Sequence, residues 1–407
     1  MKPRRHVLIT VITAAGLVVL AAATIALVDP YGLHDRTGVQ GFNAKKPRAG
    51  TQLRVSKERR ASRAAAKTVI FGNSRIQVGF NPDSAAWPQN ARPVFNFGIP
   101  GAPFDDVLSD YGLLVAEAKA PKSILIGLDL EDFLSNLSAP EDLDIPTGSA
   151  GRWPHMPYPK LAETNLSLTA LIDSLRTVAA QTDPFAADLT RAGFNPFWDF
   201  IPIIDREGHH AVALPKILSS LRHYVALPTD IYLADGREAL PLRQLRVLLA
   251  DARRRRIDVR LFLYPYHTDL LETFRVCGTW PSFERWKRAL TQIVAELRRS
   301  DPDWRLDLWD FATYNRYTEE PIPDPGDRDT DMAWYWEPGH FKAALGDLLI
   351  ARLYGAGPDD FGLLLTPDSV EAGIDADRAR GQEFRRRHPE AVARVAALCR
   401  QVGGRTP

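Results

Sequence analysis

Cysteine is scarce: the 407 residues include two, Cys277 and Cys399, too few for a disulfide framework and too far apart for a Cys-x-x-Cys metal or redox pair. Net charge is also missing. Lys plus Arg number 51 against 50 Asp plus Glu, so no global basic field marks nucleic acid as a partner. There is no internal repeat, no low-complexity tract and only one long uncharged run, which excludes solenoid, collagen-like and multispan membrane chains. What remains, 45% hydrophobic and 25% charged, is ordinary globular composition.

The one long run extends from Val7 to Val28. At about 1.5 Å per residue it covers a hydrocarbon core of about 30 Å. Lys2, Arg4 and Arg5 precede it, and Asp29 with a Pro-Tyr-Gly turn follows. The positive-inside rule then predicts a cytoplasmic tail (1–6), a transmembrane anchor (7–28) and an extracytoplasmic, periplasm-facing remainder. Ala21, Ala22 and Ala23 supply the small residues of a cleaved signal peptide, but secretory apolar cores run only about 7 to 15 residues. Export permits a Cys277–Cys399 disulfide as readily as two buried free thiols. Residues 29–64 read as a basic juxtamembrane segment: from Lys45 to Lys67 nine Lys and Arg face one acid, Glu58. The plain reading is a solvated helix; the sharper one is contact with anionic lipid headgroups or an anionic envelope polymer.

Short apolar, β-branched runs at 68–71, 93–97, 123–129, 258–264 and 305–309 predict buried strands of a mainly parallel sheet. Helical patterns at about 105–118, 240–255, 281–299 and 341–354 alternate with them, which is βαβ order and an α/β fold. The stretch 136–235, rich in Pro and aromatics, is too long for a plain crossover and reads as an insertion forming a cap or substrate wall. Residues 356–407 read as a helical extension packed on the domain.

The first strand ends in Gly72-Asn-Ser74-Arg, which sets Ser74 at the carboxyl edge of the sheet, where ligands bind in open α/β folds. Serine becomes a nucleophile only beside a base. The loop after the last strand reads Trp334-Tyr-Trp-Glu337-Pro-Gly-His340, and a carboxylate three residues ahead of a histidine can hold its Nδ1 proton while Nε2 faces serine. With these residues the chain resembles the SGNH (GDSL-like) hydrolase superfamily over roughly 65–355. It resembles membrane-anchored envelope members of that superfamily, such as the teichoic-acid D-alanyl transfer protein and polysaccharide O-acetylation proteins. The resemblance implies a three-layer α/β/α sandwich, with Ser74 as nucleophile, His340 as base and Glu337 as acid. It also makes the Gly98 N–H an oxyanion donor after the second strand.

Two positions depart from the family pattern. Glu337 stands where Asp is usual, and Asp129 stands after the third strand where an Asn oxyanion donor is usual. An ionised carboxylate cannot donate. Either Asn73 or backbone amides substitute, or Asp129 is a structural acceptor for the Ser74 loop, or activity is weakened. Asp129 and His267 are also candidate substrate contacts at the same sheet edge, against readings as loop stabilisers. Trp153, Trp198, Trp334 and Trp336 could stack on sugar rings or be plain buried aromatics. His209-His210 lacks companions at ligand spacing, so neither a metal nor another cofactor is expected.

The expected function is a membrane-anchored, envelope-facing serine esterase or O-acyltransferase. Its expected partners are an envelope polysaccharide or glycolipid, the membrane through the N-terminal helix and a multispan acyltransferase. The alternative is a non-catalytic glycan-binding or scaffolding protein that retains the fold.

Overall fold

The computed structural model describes residues 3–34, 38–116, 120–145 and 166–403. Trp153 and the Pro-rich stretch around it lie outside the described residues.

The apolar run forms one helix, Pro3–Val28, long and apolar enough to cross a membrane. Its side chains are exposed over most of its length, but Ile25 and Val28 near its end are buried. Ile25 packs with Tyr31, Leu33 and Ala170, the last on the helix Leu168–Ala179. That helix belongs to the insertion. Asp173 on it accepts from the Tyr31 hydroxyl at 2.9 Å and from Arg48 at 2.8 Å. Part of the insertion therefore clasps the apolar helix as it enters the folded body, instead of serving only as a wall over the sheet.

The strands follow the apolar runs: β1 (Thr68–Gly72), β2 (Val94–Gly98), β3 (Ser123–Leu128), β4 (Asp258–Leu263) and β5 (Leu306–Asp310). They pair in parallel in the order β2-β1-β3-β4-β5. Burial on both faces explains their unbroken hydrophobic character. The late loop forms a hairpin, β6 (Tyr335–Glu337) and β7 (His340–Phe341), and β8 (Leu363–Leu364) adds an antiparallel sixth strand beside β5. Neither was expected: β7 and β8 have two residues each, too few to show a period. The result is a mixed α/β fold with a mostly parallel central sheet. The strand order runs one way from β1 to β2 and the other way to β3, so a crevice opens at the carboxyl ends of β1 and β3.

The basic juxtamembrane segment is not a solvated helix. On Leu53–Ala64, Lys57 and Arg60 are buried. Lys57 Nζ donates to the carbonyls of Asn96 and Gly98, and Lys46 Nζ to those of Val28 and Asp29. Burial, with the Arg60 charge adding to it, holds the Lys57 ammonium well below its usual range. Much of the basic run is therefore spent inside the protein, satisfying carbonyls that would otherwise be buried without donors.

Past the sheet, helices Val370–Arg387 and Pro389–Gln401 pack through Ile374, Phe384 and Val395. Cys277 and Cys399 are both free thiols.

Candidate active site

Gly72 ends β1 at φ 147°, and a Cβ there would meet the Tyr264 hydroxyl and Ile76, so only glycine turns the strand this sharply into the next element. Asn73 caps the short helix Ser74–Gly79 by accepting from the Arg75 N–H at 3.0 Å. Ser74 is thereby its first residue, with its hydroxyl over the β1/β3 crevice. The helix is held from behind by Asn96, whose Nδ2 donates to Ile76 and Phe80 carbonyls at 2.7 Å each.

The β6–β7 hairpin brings the other half. His340 Nε2 lies 2.8 Å from Ser74 Oγ, and Nδ1 contacts Glu337 Oε1 across the Pro338-Gly339 turn. Glu337 is buried, and its second oxygen accepts from the Gly339 N–H at 2.6 Å. Burial pushes the Glu337 carboxyl up. The His340 charge and hydrogen bond outweigh it, with Lys216 and the Gly339 N–H assisting, and leave the group below its usual range. Ionised Glu337 holds the Nδ1 proton, so in the neutral imidazole Nε2 is the nitrogen that accepts from serine. Asp331, another acid of the same loop, instead pairs with His209 Nε2 at 2.8 Å and with Lys342 at 2.8 Å.

The remaining sequence candidates occupy other roles. Gly98 is paired with Gly72 in the sheet and approaches the Ser74 helix so closely that a Cβ would strike the Gln77 nitrogen and the Asn73 oxygen. Its N–H, however, donates to Asn96 Oδ1 at 2.9 Å, so the expected oxyanion role is corrected: that donor is already committed. Asn73 is tied at both ends of its amide, to Arg75 N and to Asp129 Oδ2 at 2.8 Å. The N–H of Ser74 is different. As the first residue of a helix it has no helical acceptor, and among the described residues no other acceptor meets it.

Asp129, fully buried, accepts from Asn73, Arg75 and the Tyr266 hydroxyl. Of the readings left open for it, the structural acceptor for the Ser74 loop is the one its contacts describe. His267 is also buried: Nε2 faces the Glu320 carbonyl at 2.7 Å and Nδ1 accepts from Asp269 N–H, capping the helix Thr268–Val276. Neither Asp129 nor His267 presents a face to substrate.

Sequence reasoning missed three neighbours of the triad. Arg75 is buried against Asp129 with its guanidinium over the Tyr264 and Tyr266 rings; its place beside Ser74 was the only available signal. Lys216, on the helix His209–Ala226, lies against Gly339. Phe197, from the insertion, has its ring centroid 5.9 Å from that of His340 and 5.7 Å from that of Trp336. It sits at φ 60°, uncommon for a bulky residue, and the loop is anchored by Asn195 N–H on the Gln77 carbonyl at 3.0 Å. Trp198 is partly exposed beside Lys45, and Trp334 packs edge-on against Tyr317.

Comparisons with protein-family models, with curated proteins and with solved structures give no match to this chain.

Proposed function

We propose that the chain is a membrane-anchored, envelope-facing serine esterase or O-acyltransferase with an SGNH-like three-layer fold, acting on an acylated envelope glycan or glycolipid. One observation carries the reading: a serine hydroxyl, an imidazole and a buried carboxylate stand in hydrogen-bonded series at the crevice where the strand order reverses.

Ser74 Oγ attacks the ester carbonyl as His340 Nε2 takes its proton, and ionised Glu337 stabilises the imidazolium. The oxyanion is met by the Ser74 N–H. Collapse of the tetrahedral intermediate passes the His340 proton to the departing alkoxide and leaves an ester on Ser74. Water or a sugar hydroxyl then gives its proton to His340 and takes the acyl group, restoring the serine. Phe197 and Trp336 beside His340 would form the apolar wall against which the acyl group or a sugar face rests.

The helix Pro3–Val28 would anchor this domain outside the cytoplasmic membrane, near a multispan acyltransferase that supplies or receives the acyl group. Burial of Ile25 and Val28 in the folded body favours retention over cleavage after Ala23.

Incubating the full chain in detergent with a fluorophosphonate tests the reading. Covalent labelling that maps to Ser74 and disappears in Ser74→Ala supports it. Absence of labelling in the folded protein favours the non-catalytic glycan-binding alternative.

A further inference from the structure

At the opposite edge of the sheet, where β1 and β2 begin, lies a cavity of about 850 Å³. Five basic residues line it (Arg60, Arg63, Lys67, Arg92 and Arg191) against one acid, Asp83. Three observations say what belongs there. First, its wall is fastened to the chain just beyond the apolar helix: Arg60 bonds the Tyr31 and Gly32 carbonyls, and Arg63 Nη1 bonds the Leu33 carbonyl at 2.7 Å. These carbonyls follow Val28 by three to five residues, which sets the cavity near headgroup depth when the helix spans. Second, Arg92 gives Nη2 to the Ser84 carbonyl, while its Nε is buried and without a partner among the described residues. Third, Arg63 and Lys67 remain exposed in this cavity although Lys46 and Lys57 of the same basic run are consumed by internal carbonyls.

Guanidinium groups present several donors in a planar fork that matches phosphate oxygens, and a charge held beside low-dielectric walls is screened less than one in open water. We propose that this cavity binds the phosphate of an anionic membrane-lipid headgroup, seating the exported domain against the bilayer with its Ser74 edge turned away. The proposal rests on the helix spanning the membrane and not on the catalytic reading.

Native mass spectrometry of the full chain released from nanodiscs tests it, with phosphatidylglycerol and phosphatidylcholine offered in equal amounts and inorganic phosphate in a separate arm. The wild type is expected to retain phosphatidylglycerol at least tenfold over phosphatidylcholine. The triple variant Arg63→Gln, Lys67→Gln, Arg92→Gln is expected to lose that preference, and Asp83→Asn to strengthen it. Urea unfolding of each variant in detergent, followed by tryptophan fluorescence, reports that it is folded whether or not Ser74 is reactive. Equal retention of the two lipids, an unchanged preference in both variants, or binding of inorganic phosphate without any lipid preference would overturn the proposal. Flotation of the chain with neutral vesicles reads the anchor separately, so loss of anchoring is distinguishable from loss of headgroup selection.

Discussion

His340 Nε2 stands 2.8 Å from Ser74 Oγ although 266 residues separate them in the chain. The contact follows from topology. Ser74 leaves the carboxyl end of β1, the second strand in spatial order, and His340 arrives on a hairpin folded back over that end. The hairpin is pinned by Tyr335, whose hydroxyl bonds the Pro265 carbonyl at 2.8 Å in the segment leaving β4. Phe341, the residue after His340, packs edge-on against Phe80 just past the serine helix. Two separate anchors thus fix the distance between the imidazole and the serine hydroxyl.

A triad held this way should behave as one unit. Ser74→Ala and His340→Ala should each lower esterase activity by at least about 10³-fold, and the double variant should be scarcely worse than either. Glu337→Gln should cost less than either, because the serine and histidine still meet while the imidazolium loses its counter-charge. Steady-state rates with an activated ester check this; additive losses in the double variant would mean that Ser74 and His340 do not act together.

Much of this site was readable from residue order. A glycine-terminated apolar strand followed by Asn-Ser, and a Glu three residues before His ahead of the last domain helix, define the geometry without coordinates. What could not be read were pairings between distant polar atoms. Nothing in the sequence says that the Gly98 N–H is taken by Asn96, that Asp129 meets Arg75 and Tyr266, or that Lys46 and Lys57 turn inward to cap carbonyls. Residue type identifies a donor; only the fold selects its acceptor. The second role of the insertion was hidden for the same reason, since the clasp through Asp173 depends on Tyr31 and Arg48, more than 100 residues earlier.

Asp129 should matter for folding more than for substrate. Asp129→Ala leaves the buried Arg75 guanidinium without its partner, a loss of about 3–5 kcal/mol. Asp129→Asn keeps the volume and an acceptor and should be milder. Denaturant unfolding of the detergent-solubilised chain measures both. If the two variants are as stable as wild type and label normally with fluorophosphonate, the structural role assigned to Asp129 fails.

The chain should remain membrane-bound with its C-terminus outside the cytoplasm. Arg4 and Arg5 flank the apolar helix on one side, and Ile25 at the other end is packed into the domain. Alkaline phosphatase fused after the last residue should be active and green fluorescent protein dark. Recovery of a soluble mature form lacking residues 1–23 would show processing instead.

The two cysteines should be slow to react. Burial, together with the neighbouring Cys399 thiol, pushes the Cys277 thiol up from 9.0 to about 12. Since the thiolate is the reactive form, alkylation of native Cys277 at pH 8 should be about 10³-fold slower than that of an unperturbed thiol. Mass spectrometry should find two alkylated cysteines only after denaturation. Rapid labelling of the folded chain would refute the packing of Pro389–Gln401 over this site, and a mass two units low would show that export has joined the pair.

Glu131, about 30% exposed and 3.4 Å from His223 Nε2, provides a pH test of the charge cluster around Asp129 and Arg75. Burial raises its carboxyl from 4.5 to about 7, and the Asp129 charge adds to the effect against the pull of Arg75 and Lys216. Between pH 4.5 and 7 the folded protein therefore keeps a proton that the unfolded chain has already released. Folded-state affinity for that proton is the higher, so stability is greatest below pH 4.5, falls as pH rises through this window and levels off above pH 7. The shift corresponds to at most about 3 kcal/mol between the two plateaus, less the screening that its partial exposure allows. Glu131→Gln imitates the protonated form at every pH. Its stability should match wild type near pH 4.5 and exceed it by about 2–3 kcal/mol at pH 8, measured by urea unfolding at a series of pH values. A variant that is less stable than wild type at pH 8, or a difference that does not change across the window, would show that Glu131 is ionised and paired in the folded state.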